Sequence, residues 1–370
     1  MMVVACATAV AGVPVAAWGQ TPGYLFPGVV PGGVGSGASA VSADGRFAAG
    51  MSTSSNGSGV SPFVWSEASG RYDLALTEPA TANAFTRGIS DNGSVLVGQA
   101  GGSRAFRWRG PGTYQFLPLL TNPNQPVHDQ NAATGVSGDG SIVVGRSYRT
   151  QYLFGQAFRW TEATGMQPLG FTVSGHVYSE ANAISRDGNV IVGMSQAANG
   201  RSDAFRWTAL GGMQALPLVA DTTSAWAQGT NHDGSIISGF CDDFGVLWRG
   251  TSIQILQNPP FWACRGVTDL SDDGSVVLGV LRDAAQNLEP RIWTPLGGWQ
   301  TPSVYFAAQG FPLPQGWEVS SVASLSADGR TFCGSAFANG RYEGFVLTIP
   351  NPGTFFVFAA FSATAFRRRR

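Results

Sequence analysis

The chain has no lysine. All 22 of its basic residues are arginine, against 23 acidic residues, for a net charge of −1. Charged residues make up 12%, about half the usual share for soluble domains. With Arg367–Arg370 set aside, 18 bases face 23 acids, or −5. A weakly acidic body without a basic stripe argues against a nucleic-acid partner. Histidine is scarce: His128, His176 and His232 lack metal-ligand spacing, so neither metal nor cofactor is expected. A Gly-rich phosphate loop between strand and helix is missing, as is a Ser elbow. Helical periodicity is missing from the whole repeated part, which points to an all-β protein.

Glycine, by contrast, is abundant at 50 of 370 residues, and much of it marks a repeat. The pattern small–x–apolar–Ser–x–Asp–Gly followed by a β-branched run recurs seven times. Its turns are Asp44-Gly45, Asn92-Gly93, Asp139-Gly140, Asp187-Gly188, Asp233-Gly234, Asp273-Gly274 and Asp328-Gly329. Successive turn glycines are 48, 47, 48, 46, 40 and 55 residues apart. Such a period means a unit that stacks on copies of itself to bury its apolar faces.

In the copy at Ala181, Ala-Asn-Ala-Ile-Ser alternates like a strand, and Arg186-Asp187-Gly188 supplies a hairpin turn. Val190-Ile191-Val192 reads as a second strand, Ala204–Trp207 as a third and Met213–Leu216 as a fourth. Four strands repeated seven times predict a seven-bladed β-propeller of antiparallel blades. The third strand repeats as Ala-Phe-Arg-Trp at Ala105–Trp108, Ala157–Trp160 and Ala204–Trp207, with weaker forms ending in Trp65, Trp248 and Trp293. A tryptophan at the same place in nearly every repeat is expected to pack between neighbouring blades. The seventh repeat, ending near Phe345–Leu347, lacks a fourth strand, and Tyr24–Val30 resembles one. That segment is expected to pair in the last blade and close the ring, which removes an open edge.

The paired signatures resemble the HAF family of predicted extracellular repeats, over roughly Ala38 to Leu347. The resemblance implies export and a propeller-like fold, and supplies no reaction, ligand or catalytic residue.

The ends fit export. Residues 1–19 are small and apolar, with Ala17-Trp18-Gly19 acceptable to a signal peptidase. Residues 20–349 are expected to form the propeller without an internal boundary. Residues 350–370 run from Pro350-Asn351-Pro352 through apolar Phe355–Phe366 to Arg367–Arg370, an order that resembles a PEP-CTERM sorting signal read by a sorting protease. Twelve apolar residues are too few for the ~20 of a spanning helix, so a transient membrane tether is expected. The mature chain is expected to be a monomer at the bacterial envelope or outside the cell.

Three cysteines, Cys241, Cys264 and Cys333, follow the leader. Export permits a disulfide, and Cys241 with Cys264, both expected on the face opposite the Asp-Gly turns, form the candidate pair. Cys333 reads as a buried strand thiol.

Calcium at the turns is disfavoured. Each offers one or two carboxylates against the six to eight oxygens that calcium takes, and Asn92 and Asn231 keep turn chemistry without charge. A ligand should bind where the repeats differ. On the loop face those residues include His128, Asp129, Tyr148, Arg149, Trp226, Pro260-Phe261-Trp262, Arg265 and Trp317. Three residues before each Ser position stand Ser39, Arg87, Thr134, Asn182, Gln228 and Thr268, a mostly polar ring expected near the axial channel. Asp269 breaks the small position beside it. Two functions compete: a non-catalytic binding or structural protein presenting its loop face to a glycan or envelope protein, and a secreted polysaccharide lyase or glycosidase. The second would draw its acid and base from Asp269, Glu180 or His128, where glycosidases need two facing carboxylates.

Overall fold

The Ser-x-Asp-Gly pattern folds the same way throughout the chain. In the first repeat Ser42 Oγ donates to Asp44 Oδ1 at 2.7 Å and accepts from Phe47 N at 3.0 Å. Asp44 Oδ1 also accepts from Arg46 N at 3.0 Å. Two short polar side chains thereby hold the reversal through local backbone, and Gly45 takes the left-handed conformation the turn requires. The Ser-to-Asp bond recurs at Ser137–Asp139 (2.6 Å), Ser185–Asp187 (2.5 Å), Ser271–Asp273 (2.7 Å) and Ser326–Asp328 (2.5 Å). Asn92 accepts from Ser90 at 2.9 Å, and Asn231 Oδ1 takes the Ser part by accepting from Ile236 N at 3.0 Å.

These turns organise 28 strands in a computed structural model that describes residues 23–30, 32–54, 59–74, 83–101, 103–121, 128–149, 154–338 and 340–350. A short β1 (Tyr24–Leu25) comes first. The first repeat holds β2 (Gly33–Val41), β3 (Phe47–Ser54), β4 (Val60–Ser66) and β5 (Gly70–Asp73). The second holds β6 (Phe85–Ile89), β7 (Leu96–Ala100), β8 (Arg104–Trp108) and β9 (Tyr114–Phe116). The third holds β10 (Gln130–Val136), β11 (Ile142–Tyr148), β12 (Gly155–Thr161) and β13 (Gly165–Pro168). In the fourth are β14 (His176–Ile184), β15 (Ile191–Ala197), β16 (Ser202–Thr208) and β17 (Gly212–Ala215). In the fifth are β18 (Ala225–Thr230), β19 (Ile236–Cys241), β20 (Phe244–Arg249) and β21 (Ser252–Leu256). The sixth has β22 (Ala263–Leu270), β23 (Val277–Arg282), β24 (Leu288–Thr294) and β25 (Gly298–Gln300). A helix α1 (Pro302–Ala308) precedes β26 (Glu318–Leu325), β27 (Thr331–Ala338) and β28 (Arg341–Thr348). Within each repeat successive strands pair antiparallel, and β1 pairs with β28 through Tyr24↔Leu347 and Leu25↔Val346.

The core lies between sheets. Trp108 packs with Ala40, Ala49 and Leu74 of the preceding repeat, Trp160 with Val95, Val97 and Leu117, and Trp248 with Val190, Val192 and Ala204. Trp248 Nε1 donates to Pro217 O at 2.8 Å, which satisfies the polar end of a fully buried ring. The turns form a second layer of contact. A Cβ on Gly140 would lie 3.0 Å from Val95 Cβ, and one on Gly188 would lie 2.8 Å from Ile142 Cδ1. Each turn thus seats against the second strand of the preceding repeat. Arg107 and Arg249, beside or after the third-strand Trp, donate to turn carbonyls of the following repeat, Gly140 O at 2.8 Å and Asp273 O at 3.3 Å. Backbone bonds also link neighbouring turns, among them Asp91 N to Gly138 O at 2.9 Å and Gly138 N to Arg186 O at 2.8 Å. Ala327 N donates to Ala43 O at 2.9 Å, which joins the last repeat to the first.

Three expectations are corrected. Seven separate four-stranded sheets were expected; the chain forms five four-stranded antiparallel blades and one eight-stranded sheet. The eight-stranded sheet joins the third and fourth repeats through one parallel bridge, Gly155↔Tyr178, where the Tyr178 ring lies over a residue without a side chain. The repeats also contain a helix, α1, N-capped by Thr301, which occupies the longest spacing between turn glycines and buries Tyr305 and Phe306 against Phe332. Finally, Cys241 and Cys264 are free thiols, not a disulfide. They belong to different inter-sheet layers, Cys241 with Trp248 and Val246, Cys264 with Val267 and Trp293. Burial pushes the Cys264 thiol up to about 12. Cys333 is likewise a buried free thiol.

No helix of the described residues is long and apolar enough to cross a membrane. Residues 1–19 and 351–370, where a leader and a sorting tail are expected, lie outside the described residues.

Candidate functional site

Each inner strand carries a β-bulge at one place. Pairing skips Ser39, Arg87, Thr134, Asn182, Gln228, Thr268 and Ala323 in β2, β6, β10, β14, β18, β22 and β26 respectively. An unpaired bulge residue is re-aimed out of the ladder, and all seven line one axial cavity of about 170 Å³. A second cavity of about 250 Å³, lined by the six polar members with Thr86 and Glu180, adjoins it.

Most ring groups tie one repeat to the next. Ser39 Oγ donates to Thr86 O at 2.9 Å, Thr134 Oγ1 to Ala181 O at 2.6 Å and Asn182 Nδ2 to Ala227 O at 2.8 Å. Gln228 Oε1 accepts from Val267 N at 2.8 Å. Asp269 continues the series, its Oδ2 accepting from Ser324 Oγ at 2.8 Å and Leu325 N at 3.0 Å. Desolvation raises the Asp269 carboxyl above its ordinary range, and these donors only partly offset it. Arg87 makes no such tie: it is exposed and has no hydrogen-bond or ionic partner among the described residues.

Towards the turns the cavity is spanned by Arg186. Its Nη1 donates to Asp91 Oδ1 at 3.0 Å and Ile89 O at 3.3 Å, and its Nη2 to Val41 O at 3.5 Å. One side chain from the fourth repeat thus reaches the second and the first. The sequence held a signal for this that went unread: the residue between Ser and Asp is Ala, Asp, Gly, His, Asp or Ala elsewhere, and only here a long cation.

Opposite the turns, the loop residues divide. Trp226 sits 5.7 Å from Phe240, and both Phe240 and Trp262 pack on the layer between the fifth and sixth repeats. Arg291 Cζ lies 4.4 Å over the Trp262 ring, and Arg265 Nη2 pairs with Asp243 Oδ1 at 2.8 Å. Phe261 is 90% exposed with φ 67°, a left-handed backbone rarely taken by a bulky residue. Elsewhere, Trp317 is half-buried against Phe26 at 4.7 Å, and Tyr148 is half-buried under Arg146 at 5.3 Å. Asp129 N and Arg149 N bond to Tyr148 O and Phe154 O.

Each of the acid and base candidates is engaged in bonds of its own. His128, expected on the loop face, is instead buried, with Nδ1 2.9 Å from Ser147 Oγ, and desolvation lowers its pKa. Glu180 holds Arg146 Nη1 at 2.7 Å from both carboxylate oxygens and accepts from Tyr178 OH at 3.1 Å. Asp269 is bonded into the seventh repeat. Among the described residues no group of three or more His, Cys, Asp or Glu is placed to hold a metal ion.

The fold is that of known propellers. At a TM-score of 0.55 and 13% identity the chain resembles an oligogalacturonate lyase in complex with manganese, over 86% of this chain and 90% of that one. It resembles the β-propeller domain of Cps50 (Swd1) from Myceliophteria thermophila at 0.55 and 10% identity, over 87% and 99%. It resembles the β-propeller domain of the Trilobed protease from Pyrococcus furiosus, which has an open velcro topology, at 0.52 and 10% identity, over 86% and 98%. No family model and no curated protein matches the chain. At these identities the likenesses define the class alone: an all-β propeller with four-stranded antiparallel blades.

Proposed function

We propose that this chain is an exported, non-catalytic propeller of the HAF type that binds a glycan on its loop face. The observation that carries the reading is Phe261, whose strained backbone holds an apolar ring in solvent, next along the chain to Trp262, on which Arg291 stacks. Strain of this kind costs about 1–3 kcal/mol and concentrates at ligand-contacting positions. An exposed aromatic ring suits the apolar face of a sugar ring, and an arginine stacked on the next aromatic suits its polar rim. Export rests on residues 1–19 and 350–370, with signal peptidase, a sorting protease and a transient membrane tether as the implied partners of those ends.

The same proposal takes the ring to be seven-bladed and closed by β1. The eight-stranded sheet would count as two blades, since a single parallel bridge joins its two antiparallel halves. Support for closure comes from β1 on β28, from the Ala327–Ala43 bond and from Gly45, which seats against Thr331.

A glycan array probed with the full chain, beside an activity screen on the same polysaccharides, tests the reading. Binding without turnover is expected, with binding lost in Phe261→Ala and Trp262→Ala. Turnover of any polysaccharide, or retention unaffected by both variants, would reject it.

A further inference from the structure

We infer that the axial ring binds a small oxyanion, a carboxylate or a phosphate, with Arg87 as its cationic anchor. The ring's hydrogen-bonding groups are unevenly engaged. Ser39, Thr134, Asn182 Nδ2 and Gln228 Oε1 are occupied in bonds between repeats. Without a partner among the described residues, the lining offers two donors, the Arg87 guanidinium and Gln228 Nε2, one acceptor, Asn182 Oδ1, and the Thr268 hydroxyl, which can do either; Arg87 is the one full charge among them. The groups able to donate come from the second, fifth and sixth repeats, so they surround the axis rather than sit along one wall.

The nearby charges leave Arg87 unneutralised. Glu180, on the wall of the adjoining cavity, is held by Arg146 at 2.7 Å. Asp269 takes hydrogen bonds from Ser324, Leu325 and Leu270, and Arg186 pairs with Asp91 at 3.0 Å. A guanidinium fork presents paired donors that match a planar carboxylate or a phosphate face. The axial cavity, about 170 Å³, is below the ~300 Å³ at which pockets for drug-sized ligands begin. It therefore suits a free ion or the charged end of a longer molecule. The repeat pattern supports a role for the difference: six of seven bulge positions carry a small or neutral side chain, and an arginine there adds nothing to the joints between repeats. This site is independent of the loop-face reading.

Titration calorimetry of the full chain in low-salt buffer, with sodium acetate and with inorganic phosphate as separate probes and glucose as the uncharged control, tests it. One saturable site per chain is expected for at least one anion, with Kd below about 10 mM. Acetate uptake assigns a carboxylate and phosphate uptake a phosphate. Arg87→Gln should weaken binding at least about tenfold and leave the denaturation midpoint unchanged; Arg87→Lys, which keeps charge without the fork, should fall between. Binding of neither anion, equal binding in Arg87→Gln, or unfolding of that variant would overturn the assignment. Loss of glycan retention in Phe261→Ala with anion uptake intact would separate failure of one site from failure of the other.

Discussion

Two constraints meet at Gly140, and they explain why glycine fills that place in every turn. Its φ of 75° is costly for any residue with a Cβ, and that Cβ would lie 3.0 Å from Val95 Cβ. Gly140→Ala should therefore destabilise by about 2–4 kcal/mol, the sum of backbone strain and overpacking, read as a lower urea midpoint. At the neighbouring position the requirement is an acceptor rather than a charge. Asp139→Asn should stay within about 0.5 kcal/mol of wild type, as Asn92 already does the same work, whereas Asp139→Ala should cost about 1 kcal/mol. Hydrogen bonds from the Ser137 and Ser141 side chains and backbone hold the Asp139 carboxyl below its ordinary range. As pH falls, the unfolded chain takes up the proton first, near its pKa of about 3.9. The stabilisation is therefore complete above that pH and is lost as pH falls through the lower folded value. Thermal unfolding followed from pH 7 to 3 should show a shallower acid loss in Asp139→Asn. A slope identical to wild type would mean the carboxylate is idle.

Between elements, the third-strand tryptophans hold the sheets together, and Trp160→Ala should cost about 3–5 kcal/mol by denaturant titration. Tyr24 anchors β1: it is buried, lies 6.4 Å from Phe306 and donates from its OH to Phe311 O at 3.0 Å. Tyr24→Phe should lose about 1 kcal/mol, and Tyr24→Ala about 3–5 kcal/mol with added aggregation from the uncovered β28 edge. Equal stability in Tyr24→Ala would show that β1 is dispensable. The strands, the turns and the inter-sheet place of the tryptophans were legible because one pattern repeats and its substitutions preserve turn geometry. Helix α1 was not, since Pro302–Ala308 is under two turns long and its helicity comes from the Thr301 cap and the burial of Phe306 rather than from periodicity. The proposed disulfide failed for a related reason: spacing along the chain does not reveal that Cys241 and Cys264 face separate layers. His128 lies in the connection before β10 as its place between strands suggests, but its burial against Ser147 could not be read from that place.

Across the whole molecule the repeats divide the labour between two faces. The turn face repeats one Ser-Asp-Gly geometry, is laced by backbone bonds and is tied across by Arg186, the one long cation at the place between Ser and Asp, so it serves the ring. The loop face and the axial ring are where individual residues break the pattern, Phe261 and Arg87 above all. The polar ring could be read from the sequence because it recurs at one offset from Ser; Phe261 drew notice there only as part of an aromatic loop, since a left-handed backbone leaves no mark in composition. The most direct measurement of this division pairs two variants in two assays: urea midpoint and glycan-array retention for Asp187→Ala and Phe261→Ala in the full chain. Asp187→Ala should lower the midpoint by about 1 kcal/mol equivalent and keep retention, whereas Phe261→Ala, which removes an exposed ring and leaves the left-handed backbone as it is, should keep the midpoint within about 0.5 kcal/mol equivalent and lose retention. Retention lost on the turn face and kept on the loop face would contradict the account.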